Sequence, residues 1–242
     1  MKLKVKDRLI VALDYKTLDE VKDIVNEIGD SISTYKVGLE LFLNTRGEAV
    51  DFLHSIDKKV FLDLKFHDIP NTTTMASMFA NNQEVFMFNV HAGGGPTMMK
   101  SVSKMLKENS SDSIAIAVTI LTSFTEKEVA THFKSNFNIS ELANHWAVET
   151  KESGLHGVVC SPLEAKKIKE LCGENFYTIC PGVRPIWASS NDQKRIMTPK
   201  VAIENGADFL VVGRPITKSE NPIHSAKLIL KEIEEGLKII ND

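Results

Sequence analysis

The sequence predicts a single-domain (β/α)8 barrel of the TIM type, eight parallel strands closed on themselves, over residues 1–242. Three observations carry that expectation. Short β-rich runs alternate with amphipathic helical segments along the whole chain, and a strand that returns beside its neighbour after a helix runs parallel to it. Eight such strand-then-helix units are present, which favours closure over an open doubly wound sheet. The 242 residues, 43% of them hydrophobic, supply one large core, and no linker, low-complexity tract or close repeat divides them.

The units follow in order. "RLIVALD" (8–14) reads as the first strand. After it Leu18, Val21, Ile24, Val25 and Ile28 fall on one helical face, and Gly29 stands at the stop. "TYKVG" (34–38) precedes a helical stretch near 45–56, and "KVFLDLK" (59–65) leads into 71–82. "VFMFNV" (85–90) leads into 96–108, with Pro96 at the first helical position and Met98, Val102 and Met105 on one side. "SIAIAVTIL" (113–121) precedes two helical patterns, near 125–133 and 140–153. "HGVVC" (156–160) meets Ser161 and Glu164, a capping-box spacing with Pro162 in the first turn. "FYTICPG" (176–182) runs into an irregular polar stretch before Thr198-Pro199 restarts a helix. "DFLVVG" (208–213) leads through Asn221-Pro222 into a last amphipathic helix ending near 240.

Composition narrows the function classes. A net charge of −3 with no basic cluster excludes a nucleic-acid footprint, and "KLKVK" at the start reads as a solvated, frayed end. No apolar run approaches the roughly 18 residues of a membrane span. Strand-like sequence begins within eight residues, leaving no room for a signal peptide. Cys160, Cys172 and Cys180 form no C-x-x-C pair and fit buried thiols in a reducing cytosol. A cytoplasmic location is therefore expected.

The third strand poses the functional question. In six residues it passes from an apolar run to Asp63, Lys65, His67 and Asp68. With a period of two, Phe61, Asp63 and Lys65 share one face and Val60, Leu62 and Leu64 the other. The apolar face must meet the surrounding helices, so Asp63 and Lys65 point into the barrel mouth, and Asp68 follows in the loop. Asp14 closes "IVALD" and Lys36 interrupts "TYKVG". One charge at a strand end is usually solvated and structural. Four converging on one mouth are an alternating acid–base array in which each offsets its neighbour's desolvation.

The last two strands carry a different signal. "PGVRP" puts Arg184 after strand seven, and "VVGRP" puts Gly213 and Arg214 after strand eight. Barrels bind phosphate with these loops through backbone N–H groups and a helix N-terminus, and an arginine fork adds charge. For Arg184 a surface salt bridge is the other reading. The polar stretch 185–197 is long enough for a lid, with Gln193 placed to reach a phosphate. "HAGGG" (91–95) lacks the dinucleotide spacing and reads as a tight turn, with His91 packed or hydrogen-bonded and His67 positioning its loop. No dense ligand pattern argues for zinc.

With these pieces assembled, the chain resembles orotidine 5′-phosphate decarboxylase in its bacterial form. "VALD", "YKVGLEL", "DLKFHDIPNT", "VHAGGG", "TILTS", "VCSPLEA", "PGVRP", "DQKRIMTP" and "VVGRPIT" follow in family order over nearly the whole length. Phe66, where many bacterial members have leucine, is a mild departure. The resemblance implies decarboxylation of orotidine 5′-monophosphate to UMP, the last step of pyrimidine nucleotide synthesis, with no metal or organic cofactor. It makes Lys65 the proton donor to the carbon that loses CO2 and Asp63 the carboxylate beside the substrate's own. Lys36 and Asp14 match ribose contacts. Thr122 matches a pyrimidine contact, with Ser123 as an extra candidate. Arg184, Gln193, Gly213 and Arg214 match the phosphate grip. A homodimer is implied, with Asp68 and Thr72 reaching the partner's site. The competing readings are a sugar-phosphate enzyme of the same barrel group, which uses Mg2+, and a non-catalytic sensor of phosphate ligands. The "HDIPNT" continuation and "DQKRI" favour the decarboxylase over the first, and intact Asp63 and Lys65 favour it over the second.

Overall fold

The computed structural model describes residues 3–132, 134, 137–188 and 197–241. Its strands are β1 (Leu9–Leu13), β2 (Thr34–Gly38), β3 (Lys59–Phe66), β4 (Met87–His91), β5 (Ile114–Val118), β6 (Gly157–Val159), β7 (Tyr177–Pro181) and β8 (Phe209–Val212), all parallel and closed into a barrel in that order. The helices are α1 (Leu18–Ile28), α2 (Leu39–Thr45), α3 (Glu48–Ser55), α4 (Pro70–Asn82), α5 (Gly95–Glu108), α6 (Glu126–His132), α7 (Ile139–Glu152), α8 (Ala165–Cys172), α9 (Pro199–Glu204), α10 (Arg214–Thr217) and α11 (Pro222–Asn241). Contacts divide the chain into two units: Met1–Asp63 with Cys180–Asp242, and Leu64–Ile179.

In the first unit the sheet is set by parallel registers, Ala12 opposite Lys36 and Lys36 opposite Phe61. Tyr35, Val37, Val60, Leu62 and Phe209 are fully buried. α1 forms as its sequence dictates. Thr17 Oγ1 accepts from the Glu20 N–H, and the Glu20 carboxylate accepts from the Thr17 N–H at 3.0 Å, closing a capping box. Val21, Ile24, Val25 and Ile28 are its buried stripe, and Gly29 ends it at φ 62°, a conformation that costs other residues about 1–2 kcal/mol. The helix expected near 45–56 is α3, and a second helix, α2, precedes it. Arg46 and Gly47 between them have φ of 52° and 91°, which no helix can pass through. α2, over "LELFLNT", was not anticipated from the periodicity. The N-terminal "KLKVK" is also more structured than expected: Val5–Arg8 make a 3-10 turn whose Arg8 guanidinium donates to the Asp208 carbonyl at 3.2 Å. α11 packs on α9 closely enough that a Cβ on Gly236 would stand 2.7 Å from the Lys200 carbonyl oxygen.

The second unit is ordered by the parallel pairs β4–β5, β5–β6 and β6–β7. Met98, Val102 and Met105 of α5 are buried, as the spacing predicts. A satellite cluster of Ile120, Val129, Leu142 and Ala143 is covered by Phe124, Ile139 and Trp146 and fixes α6 on α7. The capping box expected at Ser161 is only half formed. Glu164 accepts from the Ser161 N–H at 2.9 Å, but Ser161 Oγ accepts from Leu163, and the helix begins at Ala165. Pro162 and the two residues after it make a turn instead. Lys169 is buried, and its ammonium donates to the carbonyls of Glu174 and Phe176 at 2.9 and 3.0 Å, tying α8 to the start of β7. All three cysteines are free and buried, as expected.

Candidate active site

The register explains how three charges meet in the first unit. Lys36 and Gly38 lie on one face of β2, opposite Phe61 and Asp63 on β3, while Val37 and Leu62 take the buried face. Asp14 is the residue after β1. The Lys36 ammonium is consequently 3.4 Å from the Asp63 carboxylate and 3.3 Å from that of Asp14. Side chains of Lys36 and Asp63 are 11% and 13% exposed, that of Asp14 67%. Two carboxylates around one half-buried ammonium offset the cost of taking it from water. The structure brings together the Asp14, Lys36 and Asp63 expected at this mouth.

Arg184 and Arg214 line one cavity of about 330 Å³, with Trp187, Pro215, Lys218 and Ser219. Both arginines named from the sequence therefore face one space. The Arg184 N–H donates to the Met197 carbonyl at 3.0 Å, which fixes the chain on either side of the polar stretch. Gln193 lies outside the described residues, as do the other positions 189–196 of the expected lid. A Cβ at Gly213 would be 3.4 Å from Asp14 Oδ2 and 3.6 Å from the Ala12 Cβ, ordinary contact distances that put Gly213 directly beside Asp14. The Tyr15 hydroxyl donates to the Thr217 carbonyl at 2.8 Å, and the Lys218 ammonium lies 5.2 Å from the centre of the Tyr15 ring.

In the second unit Lys65 stands out by its backbone. Its φ is 52°, left-handed in a strand residue that is not glycine. Its N–H donates to Asn89 Oδ1 at 2.7 Å, and Asn89 is completely buried on β4. Sequence reasoning passed over Asn89, although an amide inside "VFMFNV" was the available signal. Thr73 was missed as well. Its buried hydroxyl accepts from the Asp68 N–H and donates to the Asp68 carbonyl, both at 3.1 Å, while the Asp68 carboxylate accepts from the Ile69 N–H at 2.7 Å. Asp68 and Thr72 are exposed at the start of α4. Thr122 and Ser123 are exposed in the turn after β5.

His67 stacks on His91, ring centres 5.0 Å apart and 15° from parallel. His91 Nδ1 accepts from the Gly93 N–H at 3.2 Å, and burial, helped by His67 and Lys65, pushes its pKa down to about 4. The packed histidine and the tight glycine turn, here the 3-10 segment Ala92–Gly94, are both as the sequence implied. No group of three or more His, Cys, Asp or Glu placed to hold a metal ion occurs among the described residues. None of the described helices is long and apolar enough to cross a membrane.

Comparison with known proteins gives a consistent result. A family model described as "Orotidine 5'-phosphate decarboxylase / HUMPS family" matches residues 7–229. The chain is 45% identical over 227 residues to an orotidine 5'-phosphate decarboxylase of Legionella pneumophila (strain Corby), covering 93% of this chain and 99% of that one. It is 42% identical over 241 residues to that of Heliobacterium modesticaldum, covering 97% and 99%. A crystal structure of orotidine 5'-phosphate decarboxylase from Lactobacillus acidophilus superposes with a TM-score of 0.83 at 35% identity, over 94% of this chain and 99% of that one.

Proposed function

The chain belongs to the orotidine 5'-phosphate decarboxylase / HUMPS family and is a carboxy-lyase of it, and we propose that it works as one catalytic domain with its own side chains alone. The reaction is decarboxylation of orotidine 5′-monophosphate to UMP and CO2. The observation that carries the mechanistic reading is the Lys36 ammonium held between Asp14 and Asp63 at strand ends, in a chain alike to decarboxylases over its full length.

Loss of CO2 leaves an electron pair on a ring carbon that resonance stabilises poorly. Lys65 is the group that meets it. A fixed ammonium stabilises the charge as it develops and then supplies the proton, giving UMP and a neutral amine. The left-handed backbone of Lys65, held by Asn89, supports that role because it aims the side chain without asking the substrate to do so. Asp63, two residues before Lys65 in the sequence of β3, lies beside the substrate carboxylate and repels it until CO2 departs. Lys36 and Asp14 hold the ribose hydroxyls, and Thr122 contacts the pyrimidine. Arg184 and Arg214, with Gly213 and Gln193, take the phosphate, whose binding energy is spent on ordering the reacting end.

The protein acts as a homodimer in the cytoplasm. Asp68 and Thr72 are exposed, and beside them Ile69, Met75 and Phe79 are 67%, 62% and 42% exposed. An apolar patch bordering two site residues suits a second copy that receives them.

The test follows the ultraviolet absorbance of orotidine 5′-monophosphate with purified protein in EDTA, with Lys65→Ala alongside. Conversion that survives EDTA and disappears in the variant supports the reading. A folded wild type that leaves the substrate intact, yet acts on a pentulose or hexulose phosphate with Mg2+, overturns it.

A further inference from the structure

We propose that Gly38 is a positioning residue: the side chain it lacks is the space in which the Lys36 ammonium lies. The inference rests on the reading above that Lys36 serves the reaction. Gly38 has φ −87° and ψ 174°, extended backbone open to every residue type, so its conformation does not call for glycine. It is also the N-cap of α2 and makes no side-chain cap bond. Serine, asparagine or aspartate at such a position would satisfy an N–H of the first turn, so the cap alone does not require glycine. Neither the backbone nor the cap accounts for the missing side chain.

The space does. A Cβ built on Gly38 stands 3.0 Å from Lys36 Nζ, and among the described residues no other heavy atom outside its chain neighbours comes within 4 Å. The two residues share a face of β2, and Gly38 is in register with Asp63. The lysine side chain thus runs forward along its own strand, across the bare α-carbon of Gly38, to reach the carboxylate at the next position. Lysine ends usually move aside at small cost. This one is held at 3.3 Å by Asp14 and 3.4 Å by Asp63, so yielding to a methyl group loosens both ion pairs.

The test is a cycle of four proteins: wild type, Gly38→Ala, Lys36→Ala and the double variant. Gly38→Ala is expected to lower kcat/KM for orotidine 5′-monophosphate by on the order of 10- to 100-fold, the penalty of misplacing a site group by a fraction of an ångström. Urea unfolding of all four reads the same contact without the reaction. With Lys36 replaced, Gly38→Ala lowers the unfolding midpoint only by what alanine loses to glycine at an N-cap. With Lys36 present the drop is larger, because the ion pairs loosen as well. An equal shift in both backgrounds, or no loss of kcat/KM in Gly38→Ala, overturns the proposal. Should wild type fail to decarboxylate, the proposed function falls, and the unfolding cycle still decides the role of Gly38.

Discussion

The backbone N–H of Lys65 donates a 2.7 Å hydrogen bond to the side-chain oxygen of Asn89, a residue with no exposed surface. Left-handed backbone costs a non-glycine residue about 1–2 kcal/mol, and this bond offsets part of that cost. Asn89→Ala leaves the N–H without its acceptor and relaxes the strand end. The expected outcome is a loss of about 1–3 kcal/mol in urea unfolding. Steady-state kinetics should show kcat falling more than KM rises, since the side chain that is misaimed is the proposed proton donor.

Arg214→Ala should act on the kinetics and not on the fold. The arginine lines a cavity with Arg184 and is exposed, so its removal costs the fold little. A charge-assisted bond to a phosphate is worth about 1.5–3 kcal/mol, which predicts a 10- to 100-fold loss in kcat/KM. Inorganic phosphite or phosphate added to a substrate lacking its own phosphate should then rescue wild type but not the variant.

How much of this was legible beforehand depends on the kind of signal. Strand alternation and helix periodicity repeat over many residues, and so the eight units, the faces of β2 and those of β3 as far as Asp63 could be read. Asp14, Lys36 and Asp63 were visible because charges in apolar strands are costly without partners. Asn89 acts on a backbone group 24 residues away, and Thr73 on the N–H and carbonyl of a residue 5 away, and no local pattern announces such pairs. α2 went unread for a related reason: its 7 residues are too few for a helical period to repeat, and Gly47 at φ 91° separates it from the helix that was expected.

Phe79→Glu tests the dimer. Phe79 is 42% exposed on α4, on the apolar patch with Ile69 and Met75, so the change does not open the core of its own unit. Sedimentation should show wild type as a dimer and the variant shifted to monomer. Activity should fall with it, through loss of Asp68 and Thr72 from the partner's site. A variant that stays dimeric removes α4 from the interface.

His91 predicts a pH dependence of stability. Its folded pKa of about 4 lies below the ordinary 6.5, so the unfolded chain binds the extra proton between those values. The contribution is fully present above pH 6.5 and is lost as pH falls toward 4. At this half-buried ring, with solvent screening counted, it amounts to on the order of 1–2 kcal/mol. His91→Asn removes this contribution, so its urea midpoint should fall more steeply with rising pH than that of wild type over that range.

Glu164 predicts the opposite slope. It is 7% exposed, and burial, with the nearby Glu126 carboxylate adding to it, pushes its pKa up to about 7 against the bond from the Ser161 N–H. The folded chain therefore holds a proton that the unfolded one releases above about 4.5, so stability is full below that pH and is lost as pH rises through 7. The size is on the order of 2–3 kcal/mol. Between pH 4.5 and 6.5 the two groups oppose each other, and wild type should be nearly flat. Above 6.5 the histidine no longer contributes to the slope, and the decline belongs to Glu164. Glu164→Gln keeps an oxygen for the Ser161 N–H and carries no charge. Its unfolding midpoint should rise with pH up to 6.5 and then hold level, making it more stable than wild type at pH 8 and no more stable at pH 4.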